Sequence, residues 1–122
     1  IVWNEFQHEL ENESVRAIYP DGLHATIAQA LQATPALNPG ALPLHVTTAT
    51  QAEPEHGLSE ARLAETDVLV WWGHKAHGDV ADAVVDRVQR RVLERTREKL
   101  ARVEAELEVL ESRVASRAAD QI

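Results

Sequence analysis

Cysteine is absent from the 122 residues. Disulfides and thiolate metal sites are therefore excluded, and the redox compartment stays open. Aromatic residues make up only 4% of the chain, although 44% of it is apolar, which is enough for the core of one domain. No apolar run approaches the roughly 18 residues of a membrane span. No basic, apolar leader precedes the first strand candidate, so the expected location is the cytoplasm. Basic side chains are scarce early on: residues 1–86 hold three against thirteen acidic ones, a balance of −10. Such an acidic surface gives nucleic acid no electrostatic footing.

Glycine and proline are also missing after Gly78, and every tryptophan and histidine lies before residue 87. Residues 87–122 carry nine basic and seven acidic side chains and consist mainly of Arg, Glu, Ala, Val and Leu. This composition predicts a compact domain, residues 1–92, followed by a helical extension, residues 93–122, continuous with the preceding helix.

Within the first part, the stretch Asp67–His77, DVLVWWGHKAH, has five consecutive apolar residues closed by Gly73. It reads as a strand over 67–72 buried on both faces, with Trp71 and Trp72 in the core. Ile1–Asn4 and Leu44–Thr50 read as two further strands, the latter nearer a sheet edge. Helical spacing covers Leu23–Gln32, with Asp21 as the expected cap. Ala33–Pro43 reads as a loop, and Ser59 caps a short helix. Asp79 is the expected cap of the last helix. Strands alternating with helices predict a parallel sheet of flavodoxin-like order 2-1-3, partial because it has only three strands. A fully apolar strand at a free edge would be an aggregation hazard.

The last helix is expected to run from about Asp79 to Arg117. Leu93, Leu100, Leu107 and Val114 recur every seven residues, with Thr96, Val103 and Leu110 between them. This is the a/d pattern of a coiled coil and predicts self-association through residues 85–117. The upstream seam, Val85-Val88-Val92, is out of phase by one position, a stutter. A parallel pair would set Lys99 against Glu104 but Glu106 against Glu111, so that arrangement is not selected by charge. A helical hairpin turning near Arg95-Thr96 is the other reading.

Open α/β sheets bind ligands at the carboxyl ends of their strands. Order 2-1-3 brings Asn4, Glu5, His8 and Glu9 to such an end from one side. Gly73, His74 and His77 approach from the other, with Tyr19 and His24 near the first long helix. Imidazole and carboxylate groups there could bind sugar hydroxyls, transfer protons or hold a divalent metal such as zinc, with His8, His74 and His77 as ligands. The alternative for the acidic stretch Glu5–Glu13 is a solvated loop, and His45 and His56 read as structural or surface residues. The motifs HExxH, GxSxG, GxGxxG and the P-loop are absent.

The blocks VWNEFQHE, IYPDGLH, EPEHGL and TDVLVWWGHKAHGDVADAVVDRVQRRVL resemble the amino-terminal half of the ThuA-like, trehalose-utilisation family. The resemblance covers about residues 1–94. It implies a fold like that of class I glutamine amidotransferases and a role with trehalose or a related sugar. Family members continue into another glycine-bounded strand and a Ser/His-containing turn. This chain continues as ERTREKLARVEAELEVLESRVASRAADQI instead. The resemblance thus implies a truncated domain that keeps the Asn4–Glu9, Tyr19–His24 and Gly73–His77 blocks but lacks a nucleophile elbow. The alternative is a structural or engineered oligomerisation module without catalysis.

Overall fold

A computed structural model describes residues 1–37, 40–73 and 78–121. The chain divides into two compact units, Ile1–Val88 and Gln89–Ile122. Three short strands form the sheet of the first unit: β1 (Val2–Asn4), β2 (Thr48–Thr50) and β3 (Val70–Trp72). All pairings are parallel and the order is β2-β1-β3, as the 2-1-3 expectation required. Between the strands lie α1 (Gln7–Glu11), α2 (Glu13–Ile18), α3 (Leu23–Leu37) and α4 (Glu60–Ala64); α5 (Asp82–Asp120) follows β3.

β1 is the central strand, since among the described strands it alone has a neighbour on both sides. Its residues alternate between the faces of the sheet. Trp3, fully buried, joins Ala49, Leu58, Leu63, Val80 and Val84 in the core, so that face is closed by α4 and the start of α5. The opposite face carries Val2 and Asn4, also buried, and is covered by α3 through Ala28 and His24.

The most apolar stretch does not occupy the centre. β3 is an edge strand, only Val70–Trp72 rather than 67–72, with Val68 67%, Trp71 38% and Trp72 47% exposed. The expectation that both tryptophans are core residues is therefore overturned. A long apolar run reports a preference for burial but not which strands are present to provide it. Trp71 is held by its inner face: its ring stacks on that of Trp3 at 4.1 Å and 9°. The two are register partners across β1 and β3. The Trp3 indole N–H is bound in turn by the His56 carbonyl at 2.9 Å.

Other boundaries differ for local reasons. β2 begins at Thr48 and not at Leu44; Leu42 and Leu44 are exposed. α3 runs on to Leu37 through Pro35. Proline in the last turn forfeits one backbone bond, and the neighbouring Thr34 hydroxyl donates to the Ala30 carbonyl at 3.0 Å. Ser59 caps α4, as expected, by accepting from Arg62 N–H at 3.3 Å. Asp79 lies before the start of α5 rather than at its cap.

Two arginines outside the expected set tie the unit together. Arg62 donates to the carbonyls of Gly57 (3.0 Å) and Thr48 (2.7 Å), joining α4 to β2. Arg87 donates to the Leu58 carbonyl at 2.8 Å and pairs with Glu55 at 2.9 Å, fixing the first turns of α5. His56 adds a third tie: its Nδ1 meets the Gln51 carbonyl at 2.7 Å, and its Nε2 accepts from Ala81 N–H at 3.2 Å.

Replacing Trp71 with alanine removes the aromatic pair while leaving the backbone ladder intact. The expected cost is about 1–3 kcal/mol, together with loss of the near-ultraviolet dichroism of stacked indoles. Urea unfolding and near-ultraviolet spectra check this; unchanged spectra would show that the pair does not form.

Candidate functional site

The register places the carboxyl ends of all three strands level, with Asn4 opposite both Thr50 and Trp72. The chain leaves β1 through Glu5, whose N–H donates to the Trp72 carbonyl at 3.2 Å. It then turns at Phe6, which adopts φ 66° as the cap of α1. A positive φ at a phenylalanine costs of order 1–3 kcal/mol and persists only where surrounding contacts impose it. Two such contacts are evident. The Phe6 N–H donates to Asn4 Oδ1 at 3.3 Å, and its ring meets His24 edge-on at 4.9 Å.

Asn4 is fully buried. Its Nδ2 donates to Glu9 Oε2 at 2.9 Å and to His24 Nδ1 at 3.1 Å. The orientation of the amide is dictated by Glu9, since the reverse would set oxygen against carboxylate. His24 must then present an unprotonated Nδ1, which fixes its neutral tautomer. The Glu9 carboxylate also accepts from Leu23 N–H at 3.2 and 3.3 Å. It therefore serves as the cap of α3 from outside the helix, where the helix dipole favours an anion. Asp21 does not take that role. Gly22, at φ 90°, is the residue whose carbonyl accepts from Thr26 N–H.

Glu5, 2% exposed, is a buried acid. Its carboxylate accepts from His8 N–H at 3.2 and 3.4 Å and lies 3.0 Å from His8 Nδ1. The acidic stretch is thus not a solvated loop; it forms α1 and α2 and sends two carboxylates inward. Tyr19 closes α2, and its carbonyl accepts from Gly22 N–H at 3.0 Å. Gly73 is buried just beyond β3. His74 and His77, the other expected ligands, lie outside the described residues.

The structure thus brings Asn4, Glu9 and His24 into one hydrogen-bonded cluster and pairs Glu5 with His8 beside it in sequence, with Tyr19 adjoining through its main-chain bond to Gly22. Among the described residues, no three His, Asp or Glu side chains converge as a metal would require. Nor is any helix among them long and apolar enough to cross a membrane. Chemically, the region holds one buried carboxylate, Glu5, one half-buried carboxylate, Glu9, and a neutral imidazole. Most of their polar atoms are engaged with one another or with helix-end amides.

Burial pushes the His24 imidazole below its ordinary range, against the opposing pull of the Glu9 and Glu53 carboxylates. No protein-family model matches the chain, and no curated protein matches it either.

The depressed His24 value sets the sign of one pH effect. The unfolded chain takes up a proton near pH 6.5 while folded His24 remains neutral, so stability from this group is present above that pH. It declines as the pH falls from about 6.5 toward the lowered folded value. Chemical unfolding at pH 7.5 and 5.5 should show a loss that is smaller in His24→Asn; equal losses would sink the assignment.

At Gly22 a Cβ would collide with His24 Cε1 and come within 2.7 Å of Phe6 Cε2. Gly22→Ala is expected to cost about 2–4 kcal/mol in the same assay, from positive φ and ring displacement together. A cost below about 1 kcal/mol would mean that the rings are not packed against this turn.

Proposed function

We propose that the chain is a self-associating α/β module whose assembly device is α5, pairing as a coiled coil with a second copy. The observation that carries this is the surface of the second unit. Leu93, Leu100, Val103, Leu107, Leu110 and Val114 are each 48–68% exposed. They share one face at heptad spacing on an uninterrupted helix. α5 passes straight through Arg95-Thr96, so the hairpin reading is set aside. The helix's ion pairs, Arg91–Glu94 at 3.5 Å and Arg95–Glu98 at 3.3 Å, use positions away from the stripe. A long helix with such an exposed stripe gains most from a partner that buries the stripe.

A second reading concerns the strand-end region. The resemblance to the ThuA-like family supports a partial flavodoxin-like domain that keeps part of a carbohydrate or metal site. The convergence of Asn4, Glu5, His8, Glu9 and His24 at the carboxyl ends of parallel strands favours it. Against catalysis stands the commitment of those groups to internal bonds, which fits a joint better than a reacting centre. The order of preference is therefore assembly first and ligand binding second.

Sedimentation of the full chain tests the first reading. A dimer or higher oligomer is expected, and Leu100→Asp with Leu107→Asp should return it to monomer; a monomeric parent chain overturns the proposal. Calorimetric titration with zinc and with trehalose tests the second. Heat that disappears in His8→Ala or in the pair His74→Ala and His77→Ala supports a site, and its absence in the parent removes it.

A further inference from the structure

Resting on the self-association reading above, we infer that α5 pairs antiparallel with a second copy, in the register that sets Leu100 against the partner's Val103. Seven-residue spacing puts Leu93, Leu100, Leu107 and Val114 at a, and Thr96, Val103 and Leu110 at d. The flanking g positions are then Val92, Lys99, Glu106 and Arg113, and the e positions are Arg97, Glu104, Glu111 and Ala118. Orientation decides which of these meet. Parallel helices bring g against the partner's e five residues on; antiparallel helices bring g against g and e against e.

The parallel arrangement gains Lys99 with the partner's Glu104 but sets Glu106 against the partner's Glu111, so gain and loss cancel. Antiparallel registers differ by whole heptads, and their charges separate them. With Leu100 facing the partner's Leu110, Glu106 meets its own copy and Lys99 meets the partner's Arg113. With Leu107 facing the partner's Leu110, Glu104 meets the partner's Glu111. With Leu93 facing the partner's Val103, Lys99 and Arg97 each meet their own copies.

The register with Leu100 against the partner's Val103 pairs Lys99 with the partner's Glu106 and Arg97 with the partner's Glu104. Two-fold symmetry doubles both, and none of these nearest pairs is like-charged. The same register matches Leu93 with the partner's Leu110 and Thr96 with the partner's Leu107. Between Leu93 and Leu110 only one layer and its symmetry copy contain a polar side chain; beyond them Val114 meets the partner's Gln89. Charge complementarity on both flanks and apolar pairing in the seam select the same alignment.

Glu106→Lys separates the orientations by sign. In the antiparallel pair it replaces two attractions with repulsions and should raise the dimer dissociation constant by about five- to tenfold. In a parallel pair it would relieve a repulsion and tighten binding. Adding Lys99→Glu to Glu106→Lys should restore parental affinity. The chain has no cysteine, so Ser112→Cys, on the polar side of α5, accepts a single nitroxide. In the antiparallel dimer the labels should lie beyond roughly 30 Å; in a parallel dimer in register they would lie within about 20 Å.

Sedimentation and spin-label distances are measured on the full chain. Weakening by Glu106→Lys, its rescue by the swap and the long distance support the proposal. A dimer that Glu106→Lys tightens or leaves unchanged, or one with the short distance, overturns the orientation while leaving self-association in place. A monomer overturns both.

Discussion

The side-chain amide of Asn4 offers two N–H groups and one oxygen, and all three are used inside the protein. One N–H holds Glu9, which caps α3. The other holds His24, the second residue of the same helix. The oxygen holds the backbone of Phe6 at the turn into α1. An amide buried without such partners would cost several kcal/mol, so the three elements must arrive together for Asn4 to be tolerated. The fit of α1 and α3 against the carboxyl end of β1 therefore depends on one side chain. The strain at Phe6 and the positive φ of Gly22 are local costs of bringing the chain to it.

The two faces of β1 solve different problems. Trp3 faces an apolar layer made by α4 and the start of α5, where burial alone supplies the driving force. Asn4 faces a helix end, where the requirement is hydrogen bonding. A strand of three residues can satisfy both because its side chains alternate, and because both neighbours share its register. This also explains why a residue set suggestive of a ligand site has little free valence. Glu9 neutralises helix-end amides, and Glu5 accepts from His8 as the chain turns.

The parallel order and the long terminal helix were legible in the sequence because each rests on a regular signal. The strand-helix alternation and the unbroken run after Gly78 leave few topologies open. Ser59 was legible for the same reason, its cap being local. The burial of Asp67–Trp72 was not. The order 2-1-3 put it at an edge, but its apolar run suggested cover on both faces, whereas Trp71 and Trp72 are partly exposed. The cap of α3 was missed since the acceptor, Glu9, lies fourteen residues before Leu23. No spacing rule connects them; only the folded path of α1 and α2 does. For the candidate site, the meeting of Asn4, Glu5, His8 and His24 was foreseen from topology. That their polar atoms would be engaged with each other required the side-chain geometry.

His56 and Arg87 give α5 a mechanical property. The first turns of this helix are attached to the α/β unit at Ala81, through the His56 imidazole, and at Arg87, through the Leu58 carbonyl and Glu55. A tension transmitted along α5 would load these polar ties together with the packing of Val84. His56 also carries the Trp3 indole on its carbonyl. The same residue would therefore pass that load to the central strand, making β1 the anchor against which a pull on the helix is resisted.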